Sequence, residues 1–235
     1  MDLWTKLARV LRDPRRGVEV LRDRTTGRRG TRHGLVGRPH LWKAKRQFQI
    51  DFLRAQGLEP HHQLLDLGCG TLRGGIVLID YLDEAHYTGV EVRSEALAEG
   101  RKELAEAGLE HKRPRLVQCD DVSSLFLDQR FDYVWAFSVL IHMEDEILDA
   151  CLGCVARHLD AEGVFLANVN VGEEGRPGAW QQFPVVQHPW EFYQTLARKH
   201  GFSIEDLGSL RELGDPERTR IEASARRMLR LRPQS

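Results

Sequence analysis

Between residues 62 and 170 of this 235-residue chain, short apolar runs alternate with stretches of helical periodicity. The runs fall at about 62–67, 87–91, 115–119, 131–137 and 163–170, and none shows the polar alternation of a strand with one wet face. The spacing predicts helices at about 72–82, 94–108 and 142–159, with a short turn near 122–127. Apolar strands joined by helical crossovers form a parallel sheet covered on both faces, so the pattern predicts a doubly wound α/β fold. Such sheets bind ligands beyond the carboxyl ends of their strands. Function is therefore to be sought at the strand tips.

The first tip is "LLDLGCGTLRGG", residues 64–75. Gly68 and Gly70 allow a tight turn and a close backbone approach to a ligand. The sixth position of a dinucleotide fingerprint is Arg73 rather than Gly, and no phosphate-binding lysine follows, so a dinucleotide or triphosphate cradle is not predicted. Glu91 closes the second run and is placed to accept both hydroxyls of a ribose. Asp120 and Asp121 end the third, where a carboxylate accepts an adenine amino group, with Val122 beside them. Phe137 and Ser138 lie at the mouth of the fourth. Together these tips describe a nucleoside pocket without phosphates.

These motifs, in this order, resemble those of the class I S-adenosylmethionine-dependent methyltransferases. Asp66–Gly70 is similar to that family's first motif, with Cys69 between the glycines; Glu91 is similar to its ribose acid, Asp120 to its adenine-side acid, and Phe131 to His142 to its fourth-strand block. The resemblance covers about residues 60–207. It implies a Rossmann-like, mostly parallel seven-stranded sheet with helices on both faces, whose last strand, "RRMLRLR", runs antiparallel. It implies S-adenosylmethionine as cofactor, with Asp66 helping to hold its ammonium group. Arg73 departs from the small residue more common there and has three readings: it binds the cofactor carboxylate, binds the acceptor, or caps a local acid. His142, just past the fourth strand, is a candidate base, since an imidazole near its ordinary pKa of about 6.5 can take a proton from a hydroxyl; capping the next helix is the competing role.

The acceptor is less legible. Neither an Asn-Pro-Pro-Tyr-like block after strand four nor a Pro-Cys nucleophile is present, which lowers nucleic acid bases as targets. The Gly-, Pro- and aromatic-rich stretch "EEGRPGAWQQFPVVQHP" is expected to be a loop, with Trp180, Phe183, His188, Trp190 and Tyr193 forming a lid over a small acceptor or packing on the sheet. A helix near 189–200 and a strand near 202–207 follow. A small molecule methylated on oxygen or nitrogen is the expected acceptor; protein or RNA methylation and a non-catalytic binding module are the alternatives.

Residues 1–38 carry 11 Lys/Arg against 4 Asp/Glu while the chain as a whole is at −1, so a basic extension is expected ahead of a domain spanning 39–235. Leu3, Trp4, Leu7, Val10 and Leu11 share a helical face, and this basic segment suits contact with a membrane surface. Charges interrupt the N-terminal apolar residues, and no run approaches the ~20 residues that span a bilayer. Cys69, Cys119, Cys151 and Cys154 are expected to be reduced thiols in a cytoplasmic protein, with Cys151 and Cys154 on a buried helix face and no metal site.

Overall fold

The computed structural model describes residues 32, 34–181, 183–217 and 226–234. The amphipathic face expected near the N-terminus, and with it the membrane contact, lies outside the described residues. Single-turn 3-10 segments at Gly34–Val36 and Pro39–Leu41 lead into helix α1, Trp42–Ala55. Then follow β1 (Leu64–Leu67), α2 (Gly75–Tyr81), β2 (Tyr87–Glu91), α3 (Ser94–Glu106), β3 (Arg115–Gln118), β4 (Phe131–Ala136), α4 (Asp145–His158) and β5 (Leu159–Asn170). A hairpin, β6 (Gly175–Trp180) and β7 (Phe183–Gln187), precedes α5 (Trp190–Lys199), β8 (Phe202–Ser209) and β9 (Arg226–Pro233).

Seven strands form one sheet in the order β3-β2-β1-β4-β5-β9-β8. β1 to β5 pair in parallel, and β9 is antiparallel to both of its neighbours, β5 and β8. The order reverses between β1 and β4, which opens a crevice at their carboxyl ends. β1 and β2 are buried throughout, including their polar residues Asp66, Thr88 and Glu91, whereas β3 at the sheet edge is exposed at both ends and half-buried between.

Strand parity divides the core. Leu65, Leu67, Val134 and Phe165 pack on one face with Leu148, Leu152 and Val155 of α4. Leu64, Tyr133, Trp135 and Leu166 pack on the other with Phe52 and Leu53 of α1 and Leu78 and Ile79 of α2. Asp66 shares parity with Leu64, so its carboxylate is directed into the second face rather than outward past the strand tip.

Three expectations are corrected. Helix α2 starts at Gly75, not near Leu72, because Gly70 and Leu72 both have left-handed φ values, 58° and 59°, which a helix cannot contain. His142 ends a separate 3-10 turn, Leu140–His142, ahead of α4 rather than opening that helix. The aromatic stretch is a two-stranded ribbon, with Gly178 opposite Val185, Ala179 opposite Pro184 and Trp180 opposite Phe183. Gly175, Gly178 and Pro184 hide it from a propensity reading, but a ribbon outside the main sheet tolerates residues that a central strand rejects.

Candidate active site

The glycine turn is hooked onto the neighbouring strand: the amides of Gly68 and Cys69 both donate to the carbonyl of Val90, at 2.8 and 3.0 Å. Gly68 has φ +71°, and a Cβ there would lie 2.4 Å from Cγ2 of Val139; at Gly70 a Cβ would lie 2.6 Å from Cγ1 of Val36. Both positions need glycine for conformation and for space. Next in line, the Gly70 amide donates to Oε2 of Glu91 at 2.9 Å, so the turn and the tip of β2 form one unit.

Around this unit lies a half-open cavity of about 300 Å³. Of the residues singled out from sequence, Asp66, Gly68, Cys69, Gly70, Arg73, Glu91, Asp120, Val122, Phe137, Ser138 and His142 all line it. Asp121 does not: its carboxylate accepts from the amide of Ser123 at 2.8 Å and from its hydroxyl at 2.7 Å, capping the turn Val122–Ser124. Those bonds hold its pKa below the usual carboxylate value. Asp120 is the acid of this pair that lines the cavity.

The other acids and bases carry constraints the sequence did not disclose. Asp66 is buried, and its Oδ2 accepts the hydroxyl of Tyr87 at 2.6 Å. Burial, reinforced by the nearby Glu91 charge, pushes its pKa up to about 7, against the opposing effects of the Tyr87 bond and Arg73. Arg73 is buried as well; its Nη1 donates to the carbonyl of Val36 at 2.5 Å, while its Nε has no hydrogen-bond partner. Burial lowers its pKa to about 10, and Glu217, Asp215 and Asp66 offset part of that. Behind it, buried Lys45 pairs with Glu217 at 2.5 Å, and Arg226 reaches the same carboxylate at 3.5 Å.

At the wall shared with the hairpin, Nδ1 of His142 lies 2.7 Å from the carbonyl of Pro184 on β7. A carbonyl only accepts, so Nδ1 carries the proton of the neutral ring and Nε2 keeps its lone pair. The ring packs against Trp180 and Phe183 at centroid distances of 5.8 and 6.0 Å. Burial lowers the His142 pKa, helped by the Arg226 and Arg93 charges and opposed by the Pro184 bond, so the neutral base persists further into acid than a free histidine. Ser138 beside it has φ +60°, held there by its amide donating to Oδ1 of Asn168 at 2.6 Å.

Sequence reasoning missed Val36, Gln49, Arg93, Met143 and Ile147, all of which line the cavity. Val36 belongs to the stretch assigned to the basic extension, and that boundary cuts through the wall of the site. The carbonyls of Gly34, Leu35 and Val36 accept from Gln181, Arg93 and Arg73, and Arg32 pairs with Glu103 and Glu106 of α3. No periodicity could reveal this, because the contacts run through backbone carbonyls. The four cysteines are free thiols; Cys69, Cys151 and Cys154 are buried, the latter two on α4, with Cys119 and Cys151 beside the cavity. Among the described residues no cluster of His, Cys, Asp and Glu could hold a metal ion, and no helix is long and apolar enough to cross a membrane.

Solved structures share this fold. An S-adenosylmethionine-dependent methyltransferase from Clostridium acetobutylicum ATCC 824 superposes with TM-score 0.62 at 15% identity, over 83% of this chain and 92% of that one. The glycopeptide N-methyltransferase MtfA, complexed with S-adenosylhomocysteine, gives 0.63 at 18% identity over 81% and 90%. The magnesium protoporphyrin IX methyltransferase of Synechocystis PCC 6803 gives 0.60 at 20% over 81% and 83%. The fold is that of the S-adenosylmethionine-dependent methyltransferases. Residues 65–165 also match the family model of a methyltransferase domain, and that stretch holds the glycine turn, Glu91, Asp120 and His142. No curated protein sequence matches this chain.

Proposed function

We propose that this protein is an S-adenosylmethionine-dependent methyltransferase acting on an oxygen or nitrogen of a small-molecule acceptor. The observation that carries the reading is His142: a neutral imidazole with Nε2 unprotonated, held at the wall shared by the nucleoside cradle and the aromatic hairpin. The residues present fit the cofactor. Gly68 and Gly70 leave a cradle that a Cβ would fill, Glu91 sits at the ribose position, Asp120 at the adenine position, and the unpartnered Nε of buried Arg73 suits a carboxylate. Of the three readings open to Arg73 from sequence, the orphaned nitrogen favours the cofactor carboxylate. Asp66, with Tyr87 holding one oxygen, is left to face the ammonium with the other.

When bound, S-adenosylmethionine supplies an activated methyl group on a sulfonium, so the protein's part is positioning and proton removal. Val36, Trp180 and Phe183 give the cavity an apolar lining. Ser138, whose amide is held by Asn168, lines the cavity beside Phe137 as part of the cofactor wall. His142 takes the acceptor's proton at Nε2, and Pro184 stabilises the resulting imidazolium through Nδ1. A hydroxyl acceptor makes the fullest use of this base.

The test is incubation with methyl-labelled S-adenosylmethionine and fractionated cell extract. Label in the small-molecule fraction supports the proposal. Label in protein or RNA moves the acceptor to a macromolecule, and no transfer with calorimetrically confirmed cofactor binding points to a binding module.

A further inference from the structure

Arg93 follows the tip of β2 and touches every part of the site that closes over the cavity. Its backbone amide and its Nε both donate to Oε1 of Glu91, at 3.0 and 3.1 Å. Its Nη1 donates to the carbonyl of Leu35 at 2.9 Å, and its guanidinium lies over the rings of Trp180 and Phe183 at 5.8 and 5.5 Å. One side chain therefore ties the ribose acid to the segment before α1 and to the hairpin that carries the carbonyl partner of His142.

The acceptor capacity of Glu91 makes this tie conditional. A carboxylate offers about four hydrogen-bond positions, two on each oxygen. Arg93 fills both on Oε1, and the Gly70 amide fills one on Oε2. One position is left, whereas a ribose diol brings two hydroxyl donors. The two backbone amides are fixed by the glycine turn and by the N-cap of α3, so the donor able to leave is the Arg93 side chain.

We propose that Arg93 is a positioning residue that relays cofactor occupancy to the acceptor cover: the second ribose hydroxyl displaces its Nε from Glu91, and the guanidinium loosens its hold on the hairpin. The inference rests on the reading of Glu91 as the ribose ligand. Its consequence is an order of binding, with cofactor first, because the hairpin stays fastened until the diol is seated. Linkage makes the effect reciprocal, so a fastened hairpin lowers affinity for the diol.

Hydroxyl arithmetic provides the test. S-adenosylhomocysteine and its 2′-deoxy and 3′-deoxy analogues are titrated into the full chain by calorimetry. In the wild type, loss of one hydroxyl changes the dissociation constant by less than about threefold, since the retained Arg93 bond compensates. In Arg93→Met both hydroxyls find open positions, and loss of one weakens binding about tenfold or more. Equal ratios in the two proteins overturn the relay. Hydrogen exchange of the wild type needs no variant: amides of residues 175–187 exchange faster with S-adenosylhomocysteine than with either deoxy analogue, and identical exchange overturns the proposal. If S-adenosylhomocysteine fails to bind the wild type, or binds Glu91→Ala equally well, it is the cofactor reading that fails.

Discussion

His142 donates through Nδ1 to the carbonyl of Pro184, 2.7 Å away on the hairpin, and so the hairpin sets which imidazole nitrogen is free. A base positioned this way can be separated from its structural duty, because an asparagine amide reaches roughly where Nδ1 sits.

His142→Ala should lower turnover about 10²- to 10⁴-fold at neutral pH while cofactor affinity stays nearly constant. His142→Asn should be equally slow but keep the hairpin as resistant to limited proteolysis as in the wild type, whereas His142→Ala should lose that resistance. Wild-type turnover should fall on the acid side, below the ordinary histidine range, since burial lowers this pKa and the neutral ring is the active form. Turnover of His142→Ala within threefold of wild type would return the residue to a structural role.

Asp66 gives cofactor affinity its own pH dependence. Its pKa of about 7 lies above the ordinary carboxylate value, so it is largely neutral below that point and ionised above it. An ammonium group prefers the ionised form. Binding of S-adenosylhomocysteine should therefore tighten as pH rises from 6 to 8, and Asp66→Asn should flatten the curve. For the folded protein alone the sign is opposite: a raised carboxyl pKa favours the folded state most below the unfolded value near 4, and this is lost as pH rises through 7. The Tm difference between Asp66→Asn and wild type should accordingly shift in favour of the variant over that window.

Gly68→Ala should cost roughly 2 kcal/mol or more of stability, from a left-handed backbone and from a Cβ driven against Val139. Adding Val139→Ala should recover the steric part and leave the conformational part. Denaturant titration of the single and double variants measures both; a single variant as stable as wild type would mean that the turn can reshape.

Glu91→Ala should weaken S-adenosylhomocysteine by about 2–3 kcal/mol, since the variant loses the ribose acceptor and also releases the Gly70 amide. Calorimetry with no change in affinity would remove Glu91 from the site.

A domain boundary at residue 38 predicts that deletion of residues 1–38 leaves the fold and the cofactor site intact. With Val36 in the cavity wall and its carbonyl on Arg73, the deletion should instead weaken S-adenosylhomocysteine measurably while leaving the sheet folded, as circular dichroism would show. Unchanged affinity would mean that these contacts do not bear on the ligand.

The strand tips were legible because each depends on local chemistry: a glycine where φ must be positive, an acid where an apolar run stops. That is how Gly68, Gly70, Glu91 and Asp120 could be placed from letters alone. Asp66 lines the cavity, but its surroundings were not legible, since Tyr87 meets it across a strand pair, 21 positions away. Asp120 and Asp121 look equivalent in sequence, and the side-chain cap on Ser123 is what separates them. Arg93 and Val36 were missed because the first reads as a solvated strand end and the second as part of a patternless basic segment; their roles arise from long-range bonds to carbonyls. The hairpin was hidden by its own glycines and prolines.

That hairpin leaves and rejoins the fold at nearly one point. Val171 bridges to His188, the Gly172 amide donates to the His188 carbonyl at 3.0 Å, and the His188 amide donates back to Asn170 at 3.3 Å. Residues 172–187 are thus a loop with a zipped base, and the glycine turn, Glu91 and Asp120 belong to strand tips outside it. An insertion of this form can be exchanged for one of different length or lining without re-registering the strands beneath. Under the proposed function a graft across 172–187 is the natural place to change the acceptor lining, and Arg93, which touches Trp180, Phe183 and Glu91, is the contact through which cofactor binding would register the exchange.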